Sequence, residues 1–423
     1  MRRLQLVVVG NGMAGVRTLE ELLALAPDRY DITVFGAEPH PNYNRILLSP
    51  VLAGEAKAAE IVLNGLEWYW SHGIRLHLGK RVARIDRGRR FVTADDGTEA
   101  PYDRLLLATG SNPVVLPIAG CGLPGVRTYR DFADTGEMIG AAARYRRAVV
   151  IGGGLLGLEA ANGLRARGME VTVVHVMPWL MERQLDAAAA ALLQRALEAR
   201  GIAFRLPVQT LALLPGRDGR VGTVALADRT HLPAELVVMA VGVRPNLELA
   251  RKAGLHCERG IVVSDTMQTF DPRVYAVGEC VAHRGVAYGL VEPLFEMARV
   301  CATHLAGLGI GRYAGSIPST RLKVTGIDLF SAGDFMGGAG TEAITLSDPE
   351  AGSYRKVVLK DNRVTGAVLY GDTDGASWLL GLMREKRDAA AIRDALAFGP
   401  EAVARLSSQE SASAAADAER KVA

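Results

Sequence analysis

Leu6-Val7-Val8-Val9 runs directly into Gly10-Asn11-Gly12-Met13-Ala14-Gly15, and Ala148-Val149-Val150-Ile151 runs directly into Gly152-Gly153-Gly154-Leu155-Leu156-Gly157. One G-x-G-x-x-G is weak evidence. Two of them, each after a short apolar run and before an apolar pattern of helical spacing, predict two strand–turn–helix units. A diphosphate needs backbone N–H donors and a positive helix end close to its oxygens. Gly10 permits the tight turn, Gly12 lets the backbone approach the ligand, and Gly15 lets helix and strand pack closely. Gly152, Gly154 and Gly157 repeat the spacing. A chain with two such turns is built to hold two dinucleotides, as proteins that move electrons between them do.

Working outward from the first turn, residues 5–9, 32–36 and 104–108 read as short, buried parallel strands. Val16, Leu19, Leu22 and Leu23 recur at helical spacing between the first two, which makes a βαβ unit. The same order returns with a strand at 148–151, a helix over about 157–167 and a strand at Val171-Thr172-Val173-Val174. Turn signals of the first kind resume at Val241 to Asn246 and at Tyr275 to Glu279, so the second unit reads as an insertion in the first. The expectation is an α/β chain with two Rossmann-like domains. The first spans 1–114 and 241–312, and the second spans 115–240. A small α+β domain follows over 313–387, then a tail over 388–423. In the small domain, Tyr354 to Leu359 and Val364 to Tyr370 read as strands around a turn at Asp361-Asn362, with an apolar helix from about Ser377 to Met383. From about Ala402 the chain is rich in Ala, Ser and Glu and is predicted to be disordered.

Composition narrows the function. The 423 residues, 49% of them hydrophobic, are enough for two or three ordinary cores. A net charge of +3 is too mild to argue for nucleic acid. No apolar stretch approaches the roughly 20 residues of a membrane span. The apolar run near the N-terminus is too short for a signal-peptide core, so a cytoplasmic location is expected. Cys121, Cys257, Cys280 and Cys301 form no C-x-x-C pair. That argues against a metal or iron–sulfur site and against a redox dithiol.

A dinucleotide fold ordinarily places an acid near the end of its second strand to bind ribose hydroxyls. In the first unit the nearest acid is Glu38, just past Phe35-Gly36; a surface glutamate in a loop is the alternative. In the second unit the position after Val174 is His175. A carboxylate there favours NAD, and positive charge without it favours NADP. Histidine fits neither, and the nearest downstream arginine is Arg183, so the choice stays open.

The next segment, Pro41-Asn42-Tyr43-Asn44-Arg45-Ile46-Leu47-Leu48-Ser49, resembles the FAD loop of the two-dinucleotide-fold flavoprotein reductases, in the pyridine nucleotide-disulfide oxidoreductase superfamily. The resemblance implies FAD at the first turn and NAD(P)H at the second. It gives Arg45 and Ser49 places facing FAD. Pro50 stands where ferredoxin-reductase members often carry a lysine near the flavin, so that contact is absent. Leu107-Ala108-Thr109-Gly110-Ser111 resembles the strand end that passes beside FAD, which implicates Thr109 and Gly110. Thr269 through Cys280 resembles the strand that closes over the ribityl chain, with Gly278 and with Glu279 in place of the usual aspartate. Pro293 opens a helical pattern through Leu305, and proline suits the first helical position. In the family this helix start points at the pyrimidine edge of the flavin and stabilises its reduced anion. Glu159, read as lying in the first helical turn, corresponds to a residue that reaches the nicotinamide carboxamide; an acid favoured there by the helix dipole is the alternative. Residues 40–52 hold no cysteine, so the flavin itself is the expected redox centre, with no catalytic side chain.

Over about residues 4–400 the chain resembles the flavin-binding N-terminal part of NAD(P)H nitrite reductase large subunits and the electron-transfer subunit of assimilatory nitrate reductase. Met181-Glu182-Arg183-Gln184-Leu185-Asp186, Ser319 to Lys323 and Gly366 to Thr373 carry this narrower resemblance. Full nitrite reductase subunits continue into cluster and sirohaem domains. The implied activity is that of a diaphorase. NAD(P)H reduces FAD by hydride transfer, and electrons pass to an iron–sulfur protein or a nitrate or nitrite reductase subunit. A stand-alone ferredoxin or rubredoxin reductase and a non-catalytic flavin-binding sensor are the alternatives. Arginines at 84–90 and 144–147 suit either docking of an acidic acceptor or solvated loops, and Trp68-Tyr69-Trp70 suits core packing better than an electron relay.

Overall fold

The computed structural model describes residues 2–324 and 326–405. The chain begins with β1 (Leu4–Val9), α1 (Met13–Leu25), β2 (Tyr30–Phe35), β3 (Arg75–His77), β4 (Arg104–Leu107) and α2 (Phe132–Ala142). There follow β5 (Arg147–Ile151), α3 (Leu155–Ala166), β6 (Glu170–Val174), α4 (Ala187–Ala199), β7 (Ile202–Arg205), β8 (Leu236–Met239), β9 (Val274–Ala276) and α5 (Val291–Leu305). The last elements are β10 (Ser319–Val324), β11 (Ile327–Gly333), β12 (Thr341–Asp348), β13 (Ser353–Lys360), β14 (Arg363–Tyr370) and α6 (Ala376–Glu385). No helix among the described residues is long and apolar enough to cross a membrane.

Two compact units result. The first holds 2–117, 127–145 and 239–316; the second holds 118–126, 146–238 and the described residues from 317 onward. Residues 127–145, read from sequence as part of the second dinucleotide domain, cluster with the first unit. The reason is local packing: α2 lies on the helix Leu48–Ala53, and the Phe132 ring sits 4.0 Å from that of Tyr43.

In the first unit a sheet of order β9-β4-β1-β2-β3 is parallel throughout. Leu6, Val7 and Val8 of its central strand are buried without alternation, as a sheet covered on both faces requires. Helices α1 and α5 pack against each other. A separate antiparallel meander is formed by Val82–Asp86, Phe91–Ala94 and Glu99–Pro101.

The second unit repeats this plan. Strands β5, β6 and β7 pair in parallel, with β8 on the other side of β5. Its own meander is Thr210–Pro215, Val221–Leu226 and His231–Pro233. The small α+β part is an antiparallel sheet of order β10-β11-β14-β13-β12. Its β13–β14 hairpin turns on Asp361 and Asn362, both left-handed at φ +50° and +57°. Such a two-residue turn matches the twist of the strands it joins. Apolar side chains of β11, β13 and β14 pack against Leu379, Leu382 and Met383 of α6.

Within the tail, order extends a few residues past Ala402, where the predicted disorder begins. Ala390–Phe398 forms a 3₁₀ segment whose Leu396 joins the same core, and residues 401–405 are helical. The rest of the Ala-, Ser- and Glu-rich stretch lies outside the described residues.

Candidate functional site

At the first turn the three glycines have three different reasons to be glycine. Gly10 is left-handed at φ +112°, and a Cβ there would lie 2.1 Å from the Ala108 carbonyl oxygen. Gly12 caps α1 with no side chain satisfying the first-turn N–H groups, and a Cβ on it would meet nothing within 4 Å. Gly15 lies inside α1, where a Cβ would come 2.8 Å from the Gly10 carbonyl oxygen and 3.0 Å from the Ala108 Cβ. Between them, Asn11 accepts a 2.7 Å hydrogen bond at Oδ1 from Tyr69, while its Nδ2 is buried without an acceptor among the described residues. A buried donor without a partner is rare unless a ligand or water completes it. Open space before Gly12, uncapped N–H groups and this donor together fit an anionic nucleotide.

Glu38 sits past β2, and its carboxylate is engaged by Arg45 and by the Tyr43 hydroxyl at 2.7 Å. Burial pushes the Tyr43 hydroxyl well above its ordinary pKa, so it remains a donor. Arg45 lies 5.0 Å over the Tyr43 ring and donates to the Arg130 carbonyl at 3.0 Å. Ser49 accepts from the Tyr129 hydroxyl at 3.2 Å. Thr109 donates to the Asn246 carbonyl at 2.9 Å, and the Asn246 N–H returns a 2.9 Å bond to the carbonyl of left-handed Gly110. Glu279, next to left-handed Gly278, is held by the Ser111 hydroxyl and the Arg130 guanidinium.

Arg130 thus links two predicted site residues, giving its carbonyl to Arg45 and its guanidinium to Glu279. Sequence reading missed it, because nothing near residue 130 announces a partner 149 positions away. Both carboxylates retain acceptor capacity, since each ionised carboxylate offers about four lone-pair sites. Pro293 is the third residue of α5 rather than the first, because the helix begins at Val291. Proline is tolerated there since the first-turn N–H groups have no intrahelical acceptor.

The second turn repeats the first in backbone. Gly152 is left-handed at φ +119°, Gly154 caps α3 with nothing within 4 Å of a Cβ, and Gly157 is buried inside the helix. Because the cap is Gly154, α3 starts at Leu155, earlier than expected. Glu159 therefore lies beyond the first turn, and a first-turn dipole preference does not account for it. His175 is buried, 7% exposed, against the turn itself. Its Nδ1 accepts from the Gly153 N–H at 3.1 Å, and its Nε2 faces Glu182 at 3.1 Å.

The arginine clusters are neutralised in part: Arg84 pairs with Asp86, Arg87 with Asp271, Arg146 with Glu170 and Arg147 with Glu235. The aromatic triplet splits, with Tyr69 fully buried and Trp70 69% exposed, so core packing accounts for the first and not the second. The four cysteines are free, and no group of metal-ligating side chains occurs among the described residues.

Residues 4–302 match the family described as pyridine nucleotide-disulphide oxidoreductase, and residues 318–387 match the rubredoxin NAD+ reductase C-terminal domain. The nitrite reductase [NAD(P)H] of Bacillus subtilis (strain 168) is 50% identical over 92% of this chain and 48% of its own length. The assimilatory nitrate reductase electron transfer subunit of the same organism is 45% identical over 92% of this chain and 50% of its own. The chain spans about half the length of these curated relatives. A putidaredoxin reductase, solved as its covalent complex with putidaredoxin, superposes with a TM-score of 0.84 at 28% identity, covering 92% of this chain and 94% of that one. The chain belongs to the pyridine nucleotide-disulphide oxidoreductase family. It is an FAD-dependent NAD(P)H oxidoreductase.

Proposed function

We propose that the chain is a diaphorase that passes electrons from NAD(P)H to a protein acceptor, as the reductase part of an assimilatory nitrite or nitrate reductase in the cytoplasm. The observation that carries this reading is the repeated turn. Gly10 with Gly12, and Gly152 with Gly154, each pair a left-handed glycine with an open glycine that caps a helix.

FAD, when bound, supplies a centre that takes a hydride and gives up electrons one at a time. The chain supplies binding and orientation. On this reading Gly12 and the first turn of α1 hold the FAD diphosphate, Gly10 and Gly15 shape that turn, and Glu38 holds the ribose. Arg45, Ser49, Thr109, Gly110, Gly278 and Glu279 line the rest of the cofactor, with Arg130 fixing Glu279. The start of α5 around Pro293 offers its positive end to the reduced flavin. Gly152, Gly154 and Gly157 hold the pyridine nucleotide, Glu159 positions its carboxamide, and His175 stands by its ribose.

The test is anaerobic titration of the yellow protein with NADH or NADPH while the flavin absorbance bleaches, followed by addition of candidate acceptors. Bleaching and fast reoxidation by a nitrite or nitrate reductase component are expected. Colourless protein that takes up no FAD refutes the reading. A second reading, a rubredoxin or ferredoxin reductase, is favoured by the match over 318–387. Faster reoxidation by rubredoxin than by any nitrogen-assimilation component selects it. Bound flavin with no NAD(P)H-dependent dye reduction selects a sensor.

A further inference from the structure

The second strand of the pyridine nucleotide unit is followed by His175, which leaves the ribose without the acid a dinucleotide fold ordinarily provides there. The fold returns one from further along the chain. After His175, Val176 and Met177 are exposed, and then the chain doubles back over the glycine turn. Leu180 and Met181 are fully buried, and the Met181 N–H donates to the Gly153 carbonyl at 3.0 Å. A Cβ on Gly153 would fall 2.8 Å from both Leu180 and the His175 ring, so this segment is packed directly on the turn. Left-handed Met181, φ +52°, then sets Glu182 beside the imidazole.

The imidazole fixes that glutamate. Its Nδ1 accepts the Gly153 N–H and so carries no proton. In the neutral ring the proton is on Nε2, which donates to Glu182 Oε2 at 3.1 Å. Glu182 is partly exposed, and its Oε1 takes no hydrogen bond among the described residues. One carboxylate oxygen is thus tied to the glycine turn through His175, and the other is left for a hydroxyl.

We propose that Glu182, oriented by His175, receives the 2′-hydroxyl of the adenosine ribose and makes this chain selective for NADH over NADPH. The proposal rests on the reading of the second glycine turn as the pyridine nucleotide site. A carboxylate accepts a hydrogen bond from a 2′-hydroxyl and repels a 2′-phosphate. Arg183 beside it is the residue that would reward a 2′-phosphate, but it is exposed, and it is Glu182 that the histidine ties to the turn. His175 is a positioning residue here, acting through Glu182.

The test is isothermal titration of the FAD-loaded protein with two probes, ADP-ribose and 2′-phospho-ADP-ribose, alongside steady-state KM values for NADH and NADPH. The wild type is expected to bind ADP-ribose at least tenfold more tightly. Glu182→Gln shrinks that ratio severalfold or more, chiefly by tightening the 2′-phosphate probe. His175→Ala shrinks the ratio as well, whereas a merely structural loss weakens both probes alike and leaves the ratio standing. Arg183→Gln leaves the preference for ADP-ribose in place. Equal binding by the wild type, a preference for the 2′-phosphate probe, or an unchanged ratio in Glu182→Gln overturns the assignment of Glu182 alone. Failure of both probes to bind a wild type that is folded and yellow overturns the nucleotide site itself.

Discussion

The Tyr69 hydroxyl donates a 2.7 Å hydrogen bond to Oδ1 of Asn11, so a short helix 58 residues away reaches into the first glycine turn. The bond turns the amide so that its nitrogen side, buried and without an acceptor, is the side left to a ligand. Tyr69→Phe is expected to cost about 1–2 kcal/mol of stability, since it strips a buried acceptor of its donor. It is also expected to weaken FAD binding by roughly tenfold, because each 1.4 kcal/mol of lost orientation is a factor of ten. Flavin fluorescence on titration of the apoprotein measures the second effect. A lowered Tm with unchanged FAD affinity assigns Tyr69 to packing alone.

Burial holds Tyr69, Tyr102 and Tyr275 up at about 12, against the ordinary tyrosine value of 10.0. Below pH 10 both folded and unfolded chains keep these protons. Between pH 10 and 12 only the unfolded chain gives them up, so stability falls as pH rises through that window, by at most about 1.4 kcal/mol per pH unit for each tyrosine. In a spectrophotometric titration, tyrosinate absorbance of the native protein should lag that of the denatured protein. Full ionisation near pH 10 without unfolding contradicts the burial.

The glycine turns were legible because their constraints are local. A left-handed turn, an open cap and a close helix crossing must fall within six residues, and only glycine serves all three. The hairpin at Asp361-Asn362 was legible for the same reason. Glu38 and His175 were found by their distance from a strand end, but not their partners. Tyr69 for Asn11 and Arg130 for Glu279 are brought in by tertiary packing, which leaves no mark in the surrounding sequence. Glu182 escaped for a subtler cause. It lies only seven residues beyond His175, yet reaches it through a loop that doubles back over the glycine turn. The helices α3 and α5 start earlier than their sequences suggest because their N-caps, Gly154 and Leu290, come before the residues that look like beginnings.

Asp186 joins the second dinucleotide half to the small sheet. It caps α4 by accepting from the Ala189 N–H at 3.1 Å, accepts from the Tyr354 hydroxyl at 2.6 Å and lies 3.3 Å from Lys356. Asp186→Ala removes the cap, leaves a largely buried ammonium unpaired and takes the acceptor from the Tyr354 hydroxyl, an expected cost of about 2–4 kcal/mol. Asp186→Asn keeps the cap but turns an amide NH2, a donor only, toward the Tyr354 hydroxyl and the Lys356 ammonium, so it should recover only the cap's share of that cost, about 1 kcal/mol. In a denaturant double-mutant cycle with Tyr354→Phe, the coupling should exceed about 0.5 kcal/mol, as for residues in direct contact. Strict additivity removes Tyr354 from the arrangement.

Gly12 and Gly15 sit three residues apart and should fail in opposite ways. A Cβ at Gly12 meets no protein atom, and its φ of −86° is open to alanine. Gly12→Ala is therefore expected to disturb no packing and to cost the apoprotein only about 0.5–1 kcal/mol, because alanine is a poorer helix N-cap than glycine. The methyl group would stand where the cofactor's diphosphate must approach, so FAD binding should fall a hundredfold or more. A Cβ at Gly15 meets the Gly10 carbonyl at 2.8 Å and the Ala108 Cβ at 3.0 Å. Gly15→Ala should push α1 off the sheet and cost about 1–3 kcal/mol through overpacking, in the apoprotein as much as in the loaded one. Urea melts of both variants with and without FAD separate the two effects. A Gly12→Ala protein that keeps wild-type FAD affinity places the diphosphate somewhere other than this turn, and the assignment of the first site fails with it.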